Sequence, residues 1–368
     1  MDVTLRPNPA ARPTGADPGF LTDDLLDRAW RDPWGRATCR RIAAAWQPGT
    51  AFLDDDTLLA QLKHHVRAGA LTVSAAAPAP GQGDPNRIRP NKPQRYPAMI
   101  EAFAKGKGNG AFPNIPREQV VLGLRIRTAK PGSIYQANTS LCGPSSLLYN
   151  LLLDDPDVYV RYVIDLYETG AAMLGKTKVK PGESCRNYNP TGREAPASEP
   201  AGGFGRPTTA VSKGITGIDW ITTASLRDSD NDVFNYDDPS DKFAGITLPN
   251  NLAGWMEGLG YTSVTNETNI FFTKSPEVFD HAARLLRQGQ RVCIFVNSRL
   301  VAGEEKVSHF YATPDHWVVL HDSDGLQKGT LAATFWTWAR LVSVPLKGSM
   351  SADTFCGNFF GYVAGSPP

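Results

Sequence analysis

The chain lacks long apolar runs, a signal-like beginning and any marked net charge. None of its 368 residues belongs to an apolar stretch of about 18 residues, so no membrane-spanning helix is predicted. Residues 1–9 contain no apolar core, and we therefore expect synthesis in the cytoplasm without a secretory signal peptide. The formal net charge is +1 with both signs mixed. This argues against a nucleic-acid-binding protein, because such proteins usually present a basic face.

Cysteine is scarce, and no CxxC pair occurs. An odd number of widely spaced cysteines predicts reduced thiols and no zinc site, and we expect neither a metal nor another cofactor. One disulfide would still fit, with Cys185 in a polar loop as its first candidate. The acidic stretch 228–232 lacks the glycine and glutamate of a calcium loop and is interpreted as solvated. The five cysteines are Cys39, Cys142, Cys185, Cys293 and Cys356.

Hydrophobic residues make up 41% of the chain, which is enough for a sizeable core. The segment AAAPAPGQGDPNRIRPNKPQRYP, residues 75–97, cannot pack a core and predicts a linker. We therefore expect a small, mainly helical region at 1–80, a linker at 81–95 and a larger domain at 96–368.

Within the larger domain, the apolar spacing predicts helices first and strands last. Two helices are expected within 143–175, broken near Asp154-Asp155-Pro156, and a strand is expected at 120–126. Helices before an antiparallel sheet define the α+β class. Further helices are predicted at 96–106, 249–260 and 276–288, and strands at 291–296, 307–312, 316–321, 330–339 and 359–364.

The most informative segment is Gln136-Ala-Asn-Thr-Ser-Leu-Cys142-Gly-Pro-Ser-Ser-Leu-Leu. Pro144 suits a first helical turn, so Cys142 is predicted at the helix N-terminus. That end of a helix carries partial positive charge and unpaired N–H groups, which favour a thiolate. The Gln136 amide and the Cys142 N–H are candidate donors to one oxyanion. The alternative interpretation is a structural role for Cys142, since a lone cysteine in an apolar stretch is usually a small buried hydrophobic residue.

A catalytic thiolate requires a histidine, and the best candidate is His316. It opens a strongly β-prone run, His316-Trp-Val-Val-Leu, far downstream of Cys142. Cysteine hydrolases use a cysteine and a histidine that are distant in the chain and meet in space. The other histidines, which are His64, His65, His281, His309 and His321, are interpreted as solvated or structural. His321 is also a candidate partner of His316.

These segments resemble a papain-like cysteine peptidase, and most of all the bacteriocin-leader type of bacterial peptidase domain. A middle module adds to the likeness. It consists of a Pro249-x-x-Leu-Ala-x-Trp helix that ends at Gly260-Tyr261, then a helix at 276–288 and the strand 291–296. The same order of parts recurs in that family, and the resemblance covers roughly 130–340.

The resemblance implies a papain-like fold, with a nucleophile helix at its N-terminal end and an antiparallel sheet at its C-terminal end. It also implies roles: Cys142 as nucleophile, His316 as general base and acid, and Gln136 as oxyanion donor.

Papain-like enzymes also place an Asn or Asp to orient the histidine, and this sequence departs from that pattern. A hairpin that turns near Gly325 brings residues 335–337 opposite His316, and none of them is an amide or a carboxylate. Asp322 is our preferred substitute, with Asp315 and Asp324 as alternatives. A Cys–His dyad oriented by the backbone is the other solution.

The resemblance predicts a cysteine-dependent amide hydrolase that acts on a protein or peptide. Peptide cleavage, cell-wall peptide cleavage and glutamine deamidation all remain open. Leaderless papain-like proteins with loop-rich inserts resemble bacterial effectors delivered by type VI secretion, which would add an immunity protein and a secretion-apparatus protein as partners. Two alternatives stand beside this: a degenerate papain-like binding module, and a transglutaminase-like acyl transferase.

Overall fold

The chain divides into two units, Met1–Asp84 and Pro85–Pro368. The computed structural model describes residues 4–7, 27, 30, 53–67, 71–74, 94–137, 139–194, 214–230, 247–302, 313–326, 329–345 and 349–368. Most of the predicted linker, and the predicted strand at 307–312 with His309, lie outside these residues. No helix among them is long and apolar enough to cross a bilayer.

The first unit contains a helix and a two-stranded sheet. Strand β1 (Thr4–Pro7) pairs antiparallel with β2 (Leu71–Ser74), and α1 (Asp55–Arg67) precedes β2 along the chain. Asp54 begins the helix, because its carboxylate accepts a hydrogen bond from the Thr57 backbone N–H at 2.9 Å.

The second unit begins with a layer of helices. Asp155 stops one of them and starts the next by accepting the Val158 N–H at 3.1 Å, so the predicted break at 154–156 is confirmed. The helices are α2 (Tyr96–Ala104), α3 (Arg117–Ala129), α4 (Cys142–Asp154), α5 (Pro156–Thr169), α6 (Glu183–Asn187) and α7, which runs through Gly217–Asp219, a π turn at Trp220–Ala224 and Ser225–Ser229.

The predicted strand at 120–126 is wrong, since these residues lie within α3. Their apolar side chains suit a strand by local preference, but tertiary packing overrides it. Val120 and Leu124 are fully buried one turn apart, and Gly123 lies directly against Ile218 of α7. Only a helix brings these residues to one buried face.

An antiparallel sheet follows, as predicted, and the α+β class is confirmed. Among the described residues its order is β10 (Arg340–Val344), β9 (Ala333–Thr337), β7 (His316–Ser323), β6 (Arg291–Val296), β12 (Phe359–Ser366) and β5 (Thr262–Asn266). A hairpin of β3 (Ala172–Leu174) and β4 (Thr177–Val179) lies apart from it, and α8 (Pro249–Gly258), α9 (Pro276–Arg287), α10 (Arg299–Ala302) and α11 (Ala352–Cys356) flank it. Strands β8 (Thr330–Leu331) and β11 (Met350–Ser351) form a separate antiparallel pair.

Successive side chains of the sheet point alternately into two separate hydrophobic cores, and this alternation fixes the face of the sheet on which α4 packs. Trp317 and Val319 of β7 join the core that includes α4, whereas Val318 and Leu320 join the core that includes α9. Helix α4 therefore packs across one face of the sheet and α9 across the other. The first turn of α4 lies at the beginning of β7, where His316 is found.

Candidate functional site

Cys142 is the first residue of α4, as the sequence predicts. Its side chain is buried, with 4% of the residue exposed. The backbone N–H groups of Trp317 and Gly143 lie close enough to its sulfur to lower the pKa of the thiol. Trp317 follows His316 directly, so the sulfur lies against the peptide bond that joins these two residues.

The pKa of Cys142 is not lowered as the helix position suggested. Burial raises the pKa of this thiol to about 11, against the lowering effect of the Trp317 and Gly143 N–H groups. The carboxylate of Asp315 raises it further. The helix end does stabilise the thiolate, but loss of water outweighs it, and the resting group is a neutral thiol.

His316 is also buried, with 3% of the residue exposed. Its Nε2 lies 2.7 Å from the Thr337 hydroxyl oxygen, and its ring stacks on Trp338 with the centroids 4.5 Å apart. Burial lowers the pKa of the imidazole to about 3, so the ring is neutral. Within the described residues this is the ring's only hydrogen bond, which leaves Nδ1 unused and leaves the thiol of Cys142 unbonded to the ring.

Gln136 lies in the loop before α4 and is buried. Its Nε2 donates to the Thr139 carbonyl at 3.1 Å, and the Thr139 hydroxyl donates back to the Gln136 carbonyl at 2.6 Å. These two bonds fix the loop six residues ahead of the sulfur. One N–H of the amide is committed to this loop, and the second remains for another acceptor.

The structure does not bring Asp322 to His316. Both residues belong to β7, and six residues of extended strand span roughly 20 Å, so Asp322 cannot fold back across the strand that contains it. Asp315 is committed elsewhere, because its carboxylate accepts the Ser298 N–H at 2.6 Å and the Ser298 hydroxyl at 2.9 Å. Asp324 is exposed beyond the end of β7.

Sequence reasoning missed Thr337. The hairpin register pointed to residues 335–337, but that search considered only amides and carboxylates. A hydroxyl oxygen accepts from an imidazole N–H equally well in geometric terms. The signal was therefore in the sequence, within the three residues that the hairpin register had placed opposite His316.

The site is closed by Thr247. This residue is fully buried, its side chain packs directly against Gly143, and its carbonyl accepts the Trp317 indole N–H at 3.0 Å. Thr247 therefore contacts both the first turn of α4 and Trp317, beside the buried sulfur.

His316 is expected to make stability fall in acid. Between its unfolded pKa of 6.5 and its folded pKa of about 3, only the unfolded chain protonates this imidazole. Its contribution is therefore complete above pH 6.5 and is lost as the pH falls towards 3, by roughly 1.4 kcal/mol per pH unit. Urea unfolding of the native chain and His316→Gln at several pH values measures this slope. Identical slopes in the two proteins would contradict the burial argument.

Comparisons with protein-family profiles, with characterised proteins and with solved structures find no match. Among the described residues, no three His, Cys, Asp or Glu side chains converge as metal ligands. The chemistry of the site is therefore argued from the residues themselves.

Proposed function

We propose that the chain is a cysteine-dependent amide hydrolase with a papain-like arrangement, in which Cys142 is the nucleophile and His316 the general base and acid. One observation carries this proposal. The sulfur lies at the first turn of a buried helix, near the backbone N–H of Trp317, and the preceding residue is a histidine whose Nε2 lies 2.7 Å from the Thr337 hydroxyl. A thiol packed only as a small hydrophobe requires none of these partners.

The proposed reaction uses His316 Nδ1 and the N–H groups of Cys142 and Gln136. His316 Nδ1 takes the thiol proton while the sulfur attacks the amide carbon, and the Cys142 N–H with the second N–H of Gln136 stabilises the oxyanion. The imidazolium then protonates the leaving amine, which departs and leaves a thioester. Water, deprotonated by His316, releases the acid and restores the thiol.

Activation is part of the proposal. A thiol with a pKa near 11 does not give its proton to an imidazole with a pKa near 3, so transfer is strongly uphill in the closed site. Opening of the Thr247 contact would admit water and substrate and bring both pKa values towards each other. This would keep the enzyme inactive until a substrate or partner binds.

The substrate class and setting are proposed from the resemblance alone. The proposed substrate is an amide bond of a protein or peptide. The proposed setting is that of a bacterial effector, which is delivered to another cell and has an immunity protein as partner. The test uses the purified chain with labelled casein, a muropeptide and a glutamine peptide assayed for ammonia. Hydrolysis in one assay that iodoacetamide abolishes supports the proposal. Incorporation of a primary amine instead would show an acyl transferase.

Burial favours one second candidate, a papain-like binding module without catalysis. Both Cys142 and His316 are closed from water and neutral, as in an inactive scaffold. A folded chain with no hydrolysis in any of the three assays would favour this reading.

Thr337 is expected to act as the positioning residue for His316. Thr337→Val removes the hydroxyl at nearly constant volume and should lower kcat roughly 10–10³-fold, because the imidazole loses its fixed orientation. Thr337→Ser keeps the hydroxyl and should restore most of kcat. Asp322→Ala is the matched control and should leave kcat unchanged. Equal activity in Thr337→Val and the native chain would leave the dyad without a side-chain orienter.

A further inference from the structure

The loop between β5 and α9 exposes three successive apolar side chains. Phe271 is 78% exposed and Phe272 is 71% exposed, and Ile270 beside them is 41% exposed. Single exposed apolar residues are normal on protein surfaces, but a contiguous group marks an interaction site. Aromatic residues are also enriched at such sites. We call residues 267–274 the aromatic loop.

The aromatic loop is held in one conformation. The Asn269 side-chain oxygen accepts the backbone N–H groups of Phe271 at 2.8 Å and Phe272 at 3.0 Å. The backbone N–H groups of Asn269 and Lys274 each donate to a carbonyl of β12 at 2.8 Å. Gly361 of β12 has a φ of 112°, and a side chain there would collide with the loop backbone. A fixed aromatic pair loses little conformational entropy when a partner binds.

Next to the loop lies an open hollow of about 310 Å³. Its charged lining consists of two carboxylates, Glu267 and Glu277, and one guanidinium, Arg284. Val278 and His281 complete it. Two carboxylates and one guanidinium give the hollow an excess of one negative charge, which favours a cationic group over an anionic one such as the headgroup of an acidic lipid.

The aromatic loop and the hollow are close enough for one short peptide segment to contact both. Glu267 is four positions before Phe271, and Glu277 is five positions after Phe272. Because each residue spans at most about 3.6 Å, neither carboxylate-bearing residue is more than about 18 Å from the aromatic pair. About five residues of extended chain cover that distance at roughly 3.3 Å each.

We propose that the aromatic loop and the adjoining hollow form a docking surface for a polypeptide partner whose segment joins apolar side chains to a lysine or arginine. The apolar side chains cover Ile270, Phe271 and Phe272, and the cationic group enters the hollow between Glu267 and Glu277. This surface does not depend on the reaction proposed for Cys142.

In the test, the full chain is titrated with the five-residue peptide Ac-Phe-Leu-Ser-Lys-Lys-amide and with its acidic counterpart Ac-Phe-Leu-Ser-Glu-Glu-amide. Binding is followed by the broadening of the peptide NMR lines. The lysine peptide should bind and the glutamate peptide should not. The double variant Phe271→Ser/Phe272→Ser should weaken binding at least about tenfold, as expected when anchoring aromatics are removed. Met173→Ser removes another exposed apolar side chain and should change nothing.

A second variant tests the two carboxylates that line the hollow. Glu267→Gln/Glu277→Gln should weaken the lysine peptide and reduce its salt dependence, because exposed charges are screened. Equal binding of the two peptides, a comparison that needs only the native chain, would overturn the proposal. So would unchanged binding in the double phenylalanine variant. If the double phenylalanine variant instead abolished binding to phosphatidylserine vesicles, the aromatic loop would be assigned to a membrane. If it abolished a dimer in solution, the loop would be assigned to a second copy of the chain. Either result would also overturn the proposal.

Discussion

Cys142→Ala is expected to abolish amide hydrolysis and leave the fold intact. Without the sulfur no thioester forms, and loss of a nucleophile costs on the order of 10⁴-fold or more in turnover. The alanine fills most of the space of this buried side chain, so the unfolding midpoint should change little. Turnover of whichever amide substrate the native chain accepts, together with urea unfolding, measures both effects.

Cys293→Ala is the matched control. Cys293 is also a fully buried thiol beneath α4, where it accepts a hydrogen bond from the Asn150 amide at 3.4 Å. It lies within strand β6, away from any helix end, so its removal should cost stability only. Equal activity of the native chain and Cys142→Ala would eliminate the proposed reaction, whatever the control does.

Arg127→Met is expected to have the largest effect on stability. Arg127 is buried in α3 and binds two buried carboxylates, with Nη2 2.6 Å from Asp219 and 2.8 Å from Glu194. Burial already raises the pKa of Asp219 despite the opposing effect of Arg127. Removing the one cation leaves two carboxyl groups without compensation, which costs about 3–5 kcal/mol. Urea unfolding at pH 7 measures the loss.

Arg125→Met is the control from the same helix. Its guanidinium lies 2.7 Å from Glu101, but the two side chains are 53% and 63% exposed. An exposed pair contributes about 0–1 kcal/mol, so this variant should unfold near the native midpoint. If both variants lost the same small amount of stability, the buried network would not stabilise the second unit as argued.

The sequence by itself determined the local elements that carry strong chemical signals. The Asp155-Pro156 junction fixed the end of α4 and the start of α5, because an N-cap and a proline act within one turn. Gly143-Pro144 placed Cys142 at a helix beginning for the same reason. The run of β-branched and aromatic residues in His316-Trp-Val-Val-Leu predicted a strand by local preference, and it forms the first part of β7.

Only the tertiary structure decided which contacts form between distant residues. Val120–Ile126 prefers a strand locally, yet its burial against α7 makes it a helix. The pKa of Cys142 depends on how completely the fold buries its sulfur, which no local pattern contains. The orienter of His316 depends on register across β7 and β9, which brings Thr337 to the ring and leaves Asp322 far along the strand. Local propensity and capping act over a few residues, whereas desolvation and strand register are properties of the assembled sheet.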